Sequence, residues 1–251
     1  MWLIQPGRPV TRYRCPSYRT QEAVVNMNTQ DLVIATPHGA VSGLLTEAAT
    51  PSALLVLGHG AGAGMRHSFM GDLAAALAEA GVASLRSQFP FMEAGTFRTD
   101  PPAVATATVR AAVAKAIGLR PGLPLFAGGK SFGGRMTSTA AAEQPLDGVR
   151  GLVFFGFPLH PAKKPAISRG DHLDRVSVPM LFLQGTRDDL AEIALIRDVT
   201  ARLGPRARLH EIPEANHAFA VPKRTGRTAA DIIVELAQTA SEGMGAVTGS
   251  R

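Results

Sequence analysis

The sequence predicts an α/β fold in which a doubly wound, mostly parallel sheet of about seven to eight strands is flanked by helices. Three observations carry this expectation. From residue 28 onward, short apolar runs alternate with longer segments of helical period. The later runs are apolar throughout, the pattern of strands covered on both faces, whereas strands with one wet face alternate. The first two runs are separated by "PHG", a turn signal that makes them antiparallel neighbours at one end of the sheet.

In chain order, the candidate strands are "DLVIAT" (31–36), "AVSGLL" (40–45), "ALLVLG" (53–58), "VASLRS" (82–87), "LPLFAG" (123–128), "GLVFFG" (151–156), "MLFLQG" (180–185) and "ARLHEI" (207–212). Each is short, aliphatic or aromatic, and most end on or beside a turn residue. The helical segments between them span about 68–80, 102–117, 133–143, 190–203 and 228–242. Right-handed crossovers between parallel strands then gather the functional loops at the strands' carboxyl ends.

A chain of 251 residues with 45% hydrophobic and 18% charged content is long enough for one large core, and no internal repeat is present. Residues 28–251 are therefore expected to form one domain. Residues 1–27 mix Pro, Arg, Tyr, Ser and Gln without helical or strand period, which predicts a disordered arm; translation from Met27 is the alternative explanation. No stretch approaches the roughly 18–20 uninterrupted apolar residues of a membrane span, and "MWLIQPGRPV" lacks the apolar centre of a secretory signal. The single cysteine, Cys15, excludes an intramolecular disulfide and a cysteine-based zinc site. These features predict a cytoplasmic protein without membrane association.

The net charge is +6, of which Arg8, Arg12, Arg14 and Arg19 against Glu22 supply +3 within the first 27 residues. Beyond the arm, only Lys163-Lys164 and "PKRTGR" (222–227) resemble basic clusters. A nucleic-acid partner is not expected, because duplex binding usually needs a dense basic face.

"FAGGKSFGGRM" (126–136) admits two readings. Gly129-Lys130-Ser131 resembles the end of a phosphate loop, but such a loop needs Gly five residues before Gly129, and that position is Pro124 within a strand. The other reading is a nucleophile elbow, Gly129-x-Ser131-x-Gly133, between the strand "LPLFAG" and the helix "GGRMTSTAAAEQ". Small residues flank the serine there because side chains would collide with the neighbouring strand and helix.

A seryl nucleophile needs a base to take its proton and an acid to orient that base. Asp188 in "LFLQGTRDDLAE" and His217 in "IPEANHAFAV" follow predicted strands, on the same sheet edge as Ser131. The alternative for Asp188 is a cap on the helix that follows, a role Asp189 could fill equally well. His59 is the rival base, although its place in "GHGAGAGM" suits shaping a loop better. An oxyanion needs two aimed backbone amides, and the expected donors are Phe132 and Ala61.

These residues resemble the α/β-hydrolase superfamily. Within it they are similar to the compact dienelactone-hydrolase-like proteins related to animal testis-expressed protein 30 and to a subunit of the NSL acetyltransferase complex. The resemblance runs from about Asp31 to Leu236 through "LGHGAGAGM", "LRSQFPFMEAG" with "DPP", "GGKSFGGRM", "GFPLHPAKKP", "LFLQGTRD" and "ANHAFAV". It implies Ser131 as nucleophile, Asp188 as acid and His217 as base. It also implies that the segments Phe89–Met92 and Phe157–His160 border the active-site rim. The substrate-site candidates are His59, Gly60, Lys130, Phe157 and His160, with no metal or cofactor. "GFPLHPAKKPAISRGDHLDRVSVP" is too short for a substantial lid, so an open site is expected.

The function these features predict is a serine hydrolase for a small carboxylic ester, thioester or lactone. A protein partner is possible but not indicated. The competing expectation is a catalytically silent interaction module that keeps the fold.

Overall fold

The structure, a computed structural model, describes residues 29–96 and 98–249. The expected N-terminal arm, the alternative start at Met27 and Cys15 lie outside the described residues. Strands β1 (Thr29–Thr36) and β2 (Gly39–Thr46) form an antiparallel hairpin with Thr36 opposite Gly39. Gly39 takes φ 109°, a conformation that a side chain would strain. The remaining strands are β3 (Ala53–Gly58), β4 (Val82–Ser87), β5 (Leu125–Lys130), β6 (Val149–Phe155), β7 (Met180–Gly185) and β8 (Ala207–Ile212). Helices α1 (Ser68–Glu79), α2 (Pro90–Glu93), α3 (Pro102–Leu119), α4 (Phe132–Glu143), α5 (Ile193–Leu203) and α6 (Ala229–Thr248) lie between and after them.

All eight strands join one sheet in the order β1-β2-β4-β3-β5-β6-β7-β8. β2 meets β4 antiparallel, and β3 to β8 are parallel to one another. Strand order reverses at β3, which sits between β4 and β5, so a crevice opens at the carboxyl ends of β3 and β5.

The central strands feed two cores at once. Leu54, Val56, Ala127, Leu152, Phe154 and Phe182 pack with the layer containing α3, α4 and α5. Their neighbours Leu55, Leu57, Phe126, Val153, Phe155 and Leu183 pack with α1 and α6. Successive strand residues point to opposite faces, and both faces are covered, which is why these strands read as unbroken apolar runs.

Several boundaries differ from the sequence reading. β5 runs through Gly128, Gly129 and Lys130 up to the serine itself, because Gly129 pairs with Gly58 of β3 and Lys130 with Phe155 of β6. The helix over 190–203 begins only at Ile193, since Asp188 and the residues after it form a separate turn. The last helix extends to Thr248, with Met244 buried against the sheet, and opens on a capping box between Thr228 and Asp231. The four-residue α2 was not expected. By length and composition α3 is apolar enough to cross a bilayer, but Ala105, Val109, Ala112, Val113 and Ala116 bury one face in the core. Between β6 and β7 the chain forms only a 3-10 turn at Ser168–Arg175, so no lid-sized insertion covers the strand ends.

Candidate active site

β5 delivers Ser131 at the top of the sheet, and α4 starts on the next residue. The turn is sharp enough to hold Ser131 at φ 49°, ψ −113°, a conformation that costs a non-glycine residue roughly 1–3 kcal/mol and persists only where its surroundings enforce it. The flanking glycines are required by contact. A Cβ on Gly129 would lie 2.5 Å, and one on Gly133 2.3 Å, from the Gly58 carbonyl oxygen of β3. Only glycine lets α4 pass this close to β3.

His217 lies in the loop after β8, where the Asn216 side-chain carbonyl accepts the amides of Ala218 (2.9 Å) and Ala220 (3.0 Å). Its Nε2 is 2.8 Å from Ser131 Oγ, and its Nδ1 is 2.7 Å from Asp188 Oδ2. An ionised carboxylate only accepts, so the network assigns the ring proton to Nδ1 and leaves Nε2 to accept the Ser131 hydroxyl. The Asp188 carboxylate is fully buried, and its other oxygen accepts the Leu190 amide at 2.8 Å. Asp189 is exposed. Neither aspartate caps α5, whose N-cap is Glu192.

Gln184 escaped the sequence reading. Its Nε2 donates to Asp188 Oδ2 at 2.6 Å, and its Oε1 accepts the Phe157 amide at 2.9 Å. The only signal was one amide inside the apolar run "MLFLQG".

His59 is fully buried and unavailable as a base. Its Nδ1 donates to the Gly60 carbonyl (2.7 Å), and its Nε2 accepts the Phe89 amide (3.0 Å). Burial pulls its pKa down to about 4, which keeps the ring neutral. His59 therefore braces the Gly-rich loop. Gln88 Oε1 accepts the Met65 amide at 2.9 Å, and Arg86 donates to the Met65 carbonyl at 3.2 Å, so the far end of that loop is held as well.

A cavity of about 380 Å³ opens beside Ser131 and His217. Gly60, Ala61 and Lys130 line it, together with residues the sequence did not single out: Phe69 and Met70 of α1, and Leu190. The Ala61 and Phe132 amides have no backbone acceptor among the described residues. Three expected lining residues are not there. His59 is fully buried behind its own loop hydrogen bonds and does not line the cavity; Phe157 is fully buried against Phe154 and Phe182. His160, also buried, accepts the Glu192 amide at 3.1 Å and donates to the Pro161 carbonyl at 2.9 Å, bracing the chain that follows Asp188. All three are displaced for one reason: apolar or hydrogen-bonded packing satisfies them away from the crevice.

Arg187 pairs at 3.6 Å with Glu214 on the surface. A more open cleft of about 720 Å³ beside α2, lined by Phe91, Arg98 and Asp100 among others, contains no His or Cys. Among the described residues no group of three or more His, Cys, Asp or Glu side chains is arranged to hold a metal.

Known proteins match this architecture. Dienelactone hydrolase from Anabaena variabilis superposes with a TM-score of 0.69 at 22% identity, covering 86% of this chain and 96% of that one. An α/β serine hydrolase without a lid from Xanthomonas campestris gives 0.67 at 20% identity, covering 90% and 97%. The esterase domain of a Rhodothermus marinus protein gives 0.65 at 15% identity, covering 86% and 98%. At these identities the likeness is one of fold. The family model described as an alpha/beta hydrolase domain matches residues 51–245, from β3 through most of α6. The chain belongs to the alpha/beta hydrolase domain family.

Proposed function

We propose that this protein is a serine hydrolase acting on a small carboxylic ester, thioester or lactone through Ser131, His217 and Asp188. Family membership supports hydrolase activity. The observation that carries the serine mechanism is the continuous chain from Ser131 Oγ through the His217 imidazole to the buried Asp188 carboxylate, with contacts of 2.8 and 2.7 Å.

His217 Nε2 takes the hydroxyl proton as Ser131 Oγ attacks the substrate carbonyl carbon. Asp188 holds the ring in the tautomer that leaves Nε2 free and stabilises the imidazolium that forms. The Phe132 and Ala61 amides donate to the oxyanion; Phe132 is the first residue of α4, where amides lack intrahelical acceptors. The protonated His217 then gives its proton to the departing alkoxide, thiolate or ring oxygen. Water, deprotonated by His217, adds to the acyl-enzyme and releases the acid and Ser131. The cavity volume and its largely apolar walls suit a compact substrate. The structural neighbours include a dienelactone hydrolase and an esterase domain, which supports the ester and lactone choice.

The test is turnover of a panel of short acyl esters, thioesters and lactones by the wild-type chain and by Ser131→Ala. Turnover that disappears with Ser131 supports the proposal. Inertness of the wild type toward the whole panel would favour the interaction-module reading instead.

A further inference from the structure

We propose that Lys130 is a positioning residue for the base: its ammonium clamps the His217 main chain and so holds the imidazole on Ser131. This inference rests on the Ser131–His217 reading above. Lys130 is the last residue of β5 and directly precedes Ser131. Its Nζ donates to the His217 carbonyl oxygen at 2.7 Å, which joins the strand end that carries the nucleophile to the loop that carries the base.

The surroundings are built around that bond. Phe69 of α1 and Phe219 of the His217 loop stack at 5.8 Å with their planes 7° apart. Lys130 Nζ lies 5.9 and 5.3 Å from their ring centroids. Gly156, just after β6, has φ 69°; a Cβ there would lie 3.0 Å from Nζ and 3.6 Å from the His217 oxygen. The glycine leaves room for the ammonium at this spot. Phe219 itself is held at φ 63°, with its amide donating to Asn216. β5, β6, α1 and the base loop thus converge on one cation, whose only acceptor among the described residues is the base's own carbonyl.

If this position needed only to fill space beside two phenyl rings, an apolar side chain would do so without desolvating a charge. A lysine adds a directional, charge-assisted hydrogen bond. Burial draws the ammonium pKa down to about 8, against the opposing field of Asp188, as expected for a cation with so little polar company. His217 needs such an anchor because its loop leaves the edge strand β8, and a small misplacement of a reacting group is costly in rate.

The test uses a Cys15→Ser background, in which Lys130→Met and Lys130→Cys are compared with the parent. The Lys130→Cys protein is also alkylated with bromoethylamine, which rebuilds a side chain of lysine length ending in an ammonium. The readouts are kcat and KM for p-nitrophenyl acetate, the rate of phosphonylation by a fluorophosphonate, and Tm. Removing the ammonium is expected to lower kcat and phosphonylation rate by roughly 10- to 100-fold with KM changed less than about 2-fold, and aminoethylation to restore most of the loss. Unchanged kcat and phosphonylation, a loss confined to KM, or a loss that aminoethylation leaves in place would each overturn the inference. If the parent itself is not phosphonylated, the serine-hydrolase reading fails and the inference with it. A phosphonylated parent with insensitive Lys130 variants removes the inference alone.

Discussion

Asp188 Oδ2 lies 2.7 Å from His217 Nδ1 and 2.6 Å from Gln184 Nε2, so one buried carboxylate oxygen orients the His217 imidazole while a neighbouring amide orients the carboxylate. Asp188→Asn replaces an acceptor by a group that can donate to Nδ1, which favours the tautomer with Nε2 protonated. That tautomer cannot accept from Ser131. Ester hydrolysis by Asp188→Asn should fall by about 10³- to 10⁴-fold, with little change in KM. Asp189→Asn, at an exposed position, should leave kcat near the wild-type value. Steady-state kinetics on both variants separates the two aspartates, and equal losses would refute the assignment.

Gln184→Leu tests the support behind the acid. Leucine keeps the volume but leaves the Phe157 amide without its acceptor and removes one of the donors to Asp188. A buried polar group stripped of its partner costs about 1–3 kcal/mol, so the denaturation midpoint should drop measurably. The rate should fall as well, because the carboxylate gains freedom. A variant with wild-type Tm and kcat would show that Gln184 is idle.

His59 supplies a pH prediction. Its folded pKa is lowered from 6.5 to about 4, with burial as the largest cause, so above pH 6.5 it is neutral in both states. Between pH 6.5 and 4 the unfolded chain binds the proton and the folded chain does not, so stability falls as pH falls. The shift corresponds to a loss on the order of 3 kcal/mol across that window. His59→Gln should be less stable at neutral pH but lose less on acidification. Urea melts at pH 7 and pH 5 would check this; identical pH slopes in both proteins would contradict it.

The sequence revealed most of the scaffold because continuous apolar runs and Gly punctuation are local signals. The convergence of Ser131, Asp188 and His217 was legible for the same reason: each lies in the loop or turn that follows a strand. What it misread depended on partners far away in the chain. Gly129-Lys130 looked like part of the turn beyond the strand, yet β3 and β6 pull it into β5. Phe157 and His160 looked like rim residues, but the Phe154–Phe182 cluster and the Glu192 amide claim them. Gln184 was invisible, since a lone amide in an apolar strand does not announce which carboxylate it meets. The direction of the Lys130 side chain likewise depends on Gly156, Phe69 and the His217 loop, none of which is near it in sequence.

The most direct measurement of the central claim is intact-mass and peptide mapping after treatment with a fluorophosphonate. One phosphonyl adduct per chain is expected, located on Ser131, formed much more slowly in His217→Ala and absent in Ser131→Ala. An adduct that persists in Ser131→Ala, or that maps to another serine, would contradict it.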